Sequence, residues 1–189
     1  MEMMIKRKTL FFLSLFTLIG FSTIGLAAIY FYQQKSPDEF FAAGIPWTKQ
    51  LWLGSAFGII AALNALLLVR TRWFKPSRIF FTGLIASINP GAGHIVFYSL
   101  CAGIGEEILF RGAIQPHLGI WWTSVLFIFL HGYLNPFNWP ITMYGLFMIL
   151  ISAGLGYLFE IYGIFAAMIA HFMFDLVMFS FLKWNIGKE

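Results

Sequence analysis

Charge is scarce in this sequence. Asp, Glu, Lys and Arg make up 11% of its 189 residues, whereas a soluble domain carries about 25%. Together with a 60% hydrophobic content in long uninterrupted runs, that scarcity excludes an ordinary water-soluble domain: the solvent for most of this surface is lipid. Cysteine is nearly absent. Cys101 is the only one, so no intramolecular disulfide and no cysteine metal cluster can form, and its apolar surroundings mark it as packing. Internal repeats and linkers are lacking too, which weighs against a carrier built from inverted halves. The net charge of +4 comes mostly from short segments flanking apolar runs. It is orientation chemistry, not a nucleic-acid patch. Phe, at 23 residues, supports the membrane setting and says nothing about function.

Lys6, Arg7 and Lys8 precede an apolar run over residues 9–32. The run exceeds the about 7–15 residues of a secretory leader's core and reaches the roughly 20 that cross a bilayer. A retained first helix is therefore favoured over a cleaved leader. A second span covers 51–69, followed by Arg70, Arg72, Lys75 and Arg78 with no acid among them. The positive-inside rule puts both the N-terminus and this loop in the cytoplasm, and two intervening spans make the assignments agree. Residues 79–182 form a nearly continuous apolar block, first interrupted by Asn89-Pro90-Gly91. That leaves 79–88 as a short tilted helix or a re-entrant segment. Helices are then expected over 93–115, 121–134, 141–159 and 164–182, with Pro116 ending or kinking the first. Gly154, Gly156 and Gly163 suit close helix contacts. Trp121, Trp122, Trp139 and Trp184 lie near segment ends, as interfacial anchors do. The expectation is an all-α, polytopic transmembrane helix bundle of six or seven spans. Residues 1–78 form two helices and a basic loop, and residues 79–189 the remaining core.

Of the 20 Asp, Glu, Lys and Arg residues, five fall within 79–182: Glu106, Glu107, Arg111, Glu160 and Asp175. His94, His117, His131 and His171 lie there as well. A charge at a helix centre costs roughly 2.5–3.5 kcal/mol on the insertion scale, so ionisable residues within the membrane point to function. Glu160 stands apart, beside Tyr162-Gly163 at a helix end, and reads as interfacial. Glu107 and Arg111 are four apart with the acid first, the favourable order for an ion pair and a structural clamp. Glu106 is rotated about 100° from Glu107, so Arg111 cannot serve both carboxylates equally. A carboxylate without a full partner in a low-dielectric site suits a general base or acid. His171 and Asp175, also four apart, share a face; the aspartate can orient the imidazole, charge it, or ligate a metal beside it. His131 ends a helix just before Gly132, where other helices supply the rest of a hydrolytic set. His94 and His117 lack such company and read as loop or interface residues.

Three of these groups carry a resemblance. Glu106 to Arg111 reads EExxxR, Phe127 to His131 reads FxxxH, and His171 is followed four positions later by Asp175, all in that order on three hydrophobic segments. Over roughly residues 79–182 the chain thereby resembles the CAAX-protease and bacteriocin-processing (CPBP, or Abi) family of intramembrane glutamic proteases, related to CAAX prenyl protease 2. The resemblance implies a CAAX-protease-like helical core and a membrane-embedded endopeptidase. It implies that Glu106 activates water with help from His131, that His171 and residue 175 stabilise the oxyanion, and that Glu107 and Arg111 brace the helix. One departure stands out: the CAAX branch usually has Asn at the last position, where an amide can donate to an oxyanion. An ionised Asp175 cannot; it is protonated, orients His171, or binds a metal. His131, His171 and Asp175 beside a glutamate base also suit a zinc site with an open position. No cofactor is favoured, because no HExxH helix is present and one carboxylate is committed to Arg111. The implied partners are the lipid bilayer and a membrane-embedded or lipid-anchored peptide, with no nucleic acid, in a prokaryotic plasma membrane. The rivals are a non-catalytic immunity or scaffold protein of the same fold and a small proton-coupled transporter.

Overall fold

The computed structural model describes residues 7–185; Lys6 and the first residues used in the topology reading lie outside them. Among the described residues the chain forms seven helices and no strand: α1 (Arg7–Gln33), α2 (Pro37–Ala42), α3 (Trp47–Arg70), α4 (Lys75–Ile88), α5 (Ala92–Leu130), α6 (Trp139–Tyr162) and α7 (Ile164–Trp184). Five of them, all but α2 and α4, are long and apolar enough to cross a membrane. The protein is an all-α membrane helix bundle. The long helices coincide with the apolar runs because a backbone surrounded by lipid must satisfy its own N–H and C=O groups.

The difference between five long helices and the expected six or seven segments lies in α4 and α5. At 39 residues, α5 contains two of the expected segments. The break between them falls at Gly119 (φ 74°, ψ 167°), not at Pro116, which precedes it in the first turn of the α-helical stretch that starts at Gln115 after the π-helical residues. There its missing N–H costs little, while glycine supplies the left-handed residue at the break. The second limb stops at Leu130 rather than at 134, because Gly132 (φ 74°) reverses the chain there.

Side-chain contacts fix which helix ends lie together. Arg7 donates to the carbonyls of Ile88 (3.4 Å) and Asn89 (2.9 Å), and Lys183 donates to that of Pro90. Arg78 reaches the carbonyls of Val69 (3.4 Å) and Arg70 (3.3 Å), while the Arg70 guanidinium lies 4.8 Å from the Phe181 ring centre. One end of the bundle thus gathers the basic residues. The opposite end carries the loop between α1 and α3, where the Ile45 amide donates to the Tyr162 carbonyl at 3.0 Å. Both ends of α4 are tied to the basic end, so α4 does not cross. It lies along that end with Ser77, Phe81, Ile85 and Ile88 buried at helical spacing, and α7 finishes at the same end.

Small residues set the closest approaches. Gly54 and Gly58 of α3 rest on the carbonyls of Ala166 and Ala170 in α7, and a Cβ at either position would collide with them. This spacing lets backbones meet where lipid supplies no hydrophobic drive between helices. Likewise, α1 crosses α5 with the Thr17 backbone against Gly105. Near that crossing both helices widen to π hydrogen bonding, over Thr17–Phe21 and Ile108–Ile114. Gly154 and Gly156 admit side chains instead, the Phe57 ring and the Gln115 amide, and Gly163 (φ 115°) forms the α6–α7 turn.

Candidate active site

The two acids of α5 face different surroundings because they are consecutive on a helix. Glu107 is fully buried. One of its oxygens accepts from Arg111 Nε at 3.1 Å and the other pairs with His171 Nδ1 at 2.8 Å. Arg111, also fully buried, donates through Nη2 to Ser152 Oγ of α6 at 2.8 Å and lies 5.5 Å from the Phe127 ring centre. This chain of bonds ties α5 to α6 and α7. Buried charges are tolerated when paired and hydrogen-bonded in this way.

Glu106 points the other way. Its Oε2 is buried without a hydrogen-bond partner. It lies 3.6 Å from His131 Nε2 and 3.9 Å from His171 Nε2. Across the site His171 Nε2 lies 3.7 Å from Asp175 Oδ2. These separations exceed a direct hydrogen bond. The ring of His131 is held by the Phe127 carbonyl, 2.7 Å from Nδ1. Three carboxylates and one arginine surround two imidazoles, so shared protons complete the charge balance.

Glu106, His131, His171 and Asp175 all line one cavity of 280 Å³, which Glu107 does not reach. The cavity extends to Phe179 and Leu182 near the basic end of α7, and Leu10 and Leu13 of α1 form one wall. Most of the other lining is apolar, with Met148, Ile151 and Leu155 of α6 facing Phe174 of α7.

The sequence-predicted residues thus converge from three places in the chain, and Arg111 pairs with Glu107 as its spacing indicated. Two roles are distributed differently from the sequence reading. Glu107, and not Asp175, makes the close contact that orients His171. Ser152, which no motif marked, accepts from Arg111 Nη2, while Nη1 is buried without a partner; a hydroxyl in the middle of an apolar helix was the available signal. Tyr133 and Tyr144 also line the cavity and were not singled out. Outside the site, His117 and Glu160 are exposed and His94 is half-buried, with Glu160 accepting from Gln115 at 3.0 Å. Among the described residues no three His, Cys, Asp or Glu side chains stand in metal-binding geometry. His131, His171 and Asp175 have the right donor chemistry for zinc but do not form such a group.

A family model described as type II CAAX prenyl endopeptidase Rce1-like matches residues 88–177, a stretch that contains Glu106, His131, His171 and Asp175. The chain is 33% identical over 132 residues to the uncharacterized protein YpbD of Bacillus subtilis (strain 168), an alignment covering 67% of this chain and 66% of that protein. The chain therefore matches just under two thirds of that relative's length. No solved structure matches it.

Proposed function

We propose, on the match of residues 88–177 to the Rce1-like family of type II CAAX prenyl endopeptidases, that the chain cleaves a peptide bond in a membrane-associated protein or peptide with water activated by Glu106. The observation that carries this reading is the buried, unbonded Glu106 oxygen between His131 and His171 on the wall of the cavity. Water beside Glu106 gives it a proton as the water oxygen adds to the scissile carbonyl, with His131 holding that water. Glu107 and Arg111 are positioning residues that set the His171 ring. Proton transfer by a placed carboxylate needs this geometry before anything else. No metal is required for these steps. If zinc were bound, His131, His171 and Asp175 would be its ligands and it would polarise the carbonyl or the water.

The substrate class follows from the walls. An extended peptide carrying an apolar side chain fits beside Met148, Ile151 and Phe174; a signal-like or C-terminal anchor peptide has that character. We assign the basic end to the cytoplasm by the positive-inside rule, so the cavity draws its water from that side. The Bacillus relative suits a prokaryotic plasma membrane. The test is purified protein in detergent, incubated with tagged membrane peptides. Cleavage by the wild type and none by a well-expressed Glu106→Gln variant is the expected result; equal cleavage by both removes Glu106 as the base.

A further inference from the structure

We propose that the groove between the start of α5 and the end of α7 seats an anionic phospholipid, with its headgroup at Lys183 and an acyl chain along the apolar walls; this is independent of the endopeptidase reading. The first observation is uncompensated charge. Three consecutive carbonyls at the break between α4 and α5 collect two cations. Arg7 donates to those of Ile88 and Asn89, at 3.4 and 2.9 Å, and Lys183 to that of Pro90. Carbonyl oxygens carry only partial charge. Among the described residues no carboxylate stands at this end: Glu106, Glu107 and Asp175 surround the candidate active site, and Asp38, Glu39 and Glu160 belong to the opposite end. An ammonium carries three donors, of which Pro90 takes one. The place therefore suits an anion that the described chain does not supply.

The second observation is shape. Gly103 brings α5 onto the backbone of α7, where a Cβ would lie 2.8 Å from the Met168 carbonyl oxygen. Nearer the basic end the same two helices leave an open groove of 570 Å³, lined by Ile95 and Val96 of α5 and by Leu176, Ser180, Lys183 and Trp184 of α7. Ile95 is buried, while Val96 and Ser180 are exposed. From Leu176 to Lys183 the wall rises by about 10 Å and changes from apolar to hydroxyl to charged. A phospholipid has the same gradient from chain to headgroup. Trp184, exposed beside Lys183, is the residue type that sits at headgroup level.

The occupant follows from both observations. Lipid is the solvent of these exposed walls, so an acyl chain fills the apolar part. Basic recesses between membrane helices take acidic headgroups. A phosphodiester without a cation of its own, as in phosphatidylglycerol, offers Lys183 a net charge; a choline headgroup brings its own ammonium and does not. The groove shares no lining residue with the cavity that holds Glu106 and Asp175. A lipid seated there clasps the start of α5 to the end of α7, the two helices that carry most of the candidate site, and leaves the cavity open.

The test takes full-length protein stripped of lipid in an uncharged detergent. It is titrated with dioleoyl phosphatidylglycerol, dioleoyl phosphatidylcholine or inorganic phosphate, and read by thermal midpoint and by lipid retained in native mass spectrometry. Phosphatidylglycerol alone is expected to raise the midpoint and remain bound. Lys183→Gln should weaken its apparent affinity roughly fivefold. Val96→Trp, which fills the groove from an exposed wall and changes no charge, should abolish retention. Lys75→Gln, the same charge change at another exposed position of the basic end, should keep the wild-type affinity. Lys183→Gln also frees the Pro90 carbonyl, so the shift on adding lipid is compared and not the starting midpoint. Equal affinity for the two lipids overturns the proposal, as does an equal shift with inorganic phosphate. Equal weakening by Lys75→Gln and Lys183→Gln overturns it in favour of diffuse attraction, and undiminished retention by Val96→Trp removes the groove as the seat.

Discussion

Glu106 and Glu107 are adjacent in the chain and chemically identical, yet their surroundings separate them. Glu107 lies in a closed set of bonds to Arg111 and His171. Glu107→Gln leaves a buried guanidinium without its counter-charge, which costs about 3–5 kcal/mol when one partner of a buried pair is removed. A clear fall in the thermal midpoint of the purified protein is expected, whereas Glu106→Gln should leave that midpoint in place. A stable but inactive Glu107→Gln protein would reverse the two assignments. Asp175 decides the metal question. Asp175→Asn exchanges a carboxylate for an amide that can donate, so activity should persist and chelator should have no effect; chelator-sensitive cleavage restored by zinc would replace the metal-free route. The sequence made the Glu107–Arg111 pair legible because the two residues are one helical turn apart. It left the Glu107–His171 contact hidden, since those residues are far apart in the chain and only the packing of α5 on α7 brings them together.

The helices themselves were largely readable, because a run of apolar residues in lipid has little alternative to helix. Their ends were less so. Pro116 drew attention as the breaker of α5, but it fits the first α-helical turn after the π-helical residues, and the bend falls further on at Gly119. The path of α4 was undecidable from 79–88 alone; it is settled by Arg7 and Arg78, which tie its two ends to one side. Packing between helices is the other property carried by single positions. Gly58→Ala puts a methyl group into the Ala170 carbonyl, and overpacking of this kind costs about 1–3 kcal/mol. Thermal unfolding in detergent should show that loss, while Gly83→Ala on α4, where a Cβ meets nothing, should not. Equal midpoints for the two variants would mean that α3 and α7 separate more readily than their contact suggests.

At the scale of the molecule, charge is distributed by end. Arg7, Lys8, Arg70, Arg72, Lys75, Arg78 and Lys183 belong to the basic end by contact or by place in the chain, whereas Lys35 and Lys49 share the other with Asp38, Glu39 and Glu160. Cysteines introduced at the exposed residues Lys75 and Asp38, with Cys101 replaced, test the orientation in intact cells. An impermeant thiol reagent should label Asp38→Cys and spare Lys75→Cys until the membrane is opened; the reverse pattern inverts the bundle. The convergence of the site has a bearing on how the protein is made. Helices enter the membrane in chain order, so α1 and the two acids of α5 are in place before α7 delivers His171 and Asp175. Until that helix inserts, Glu107 has no imidazole to hold and Glu106 lacks half of its water-binding surroundings. On the proposed reading, the site is therefore complete only once the closing helix is in place.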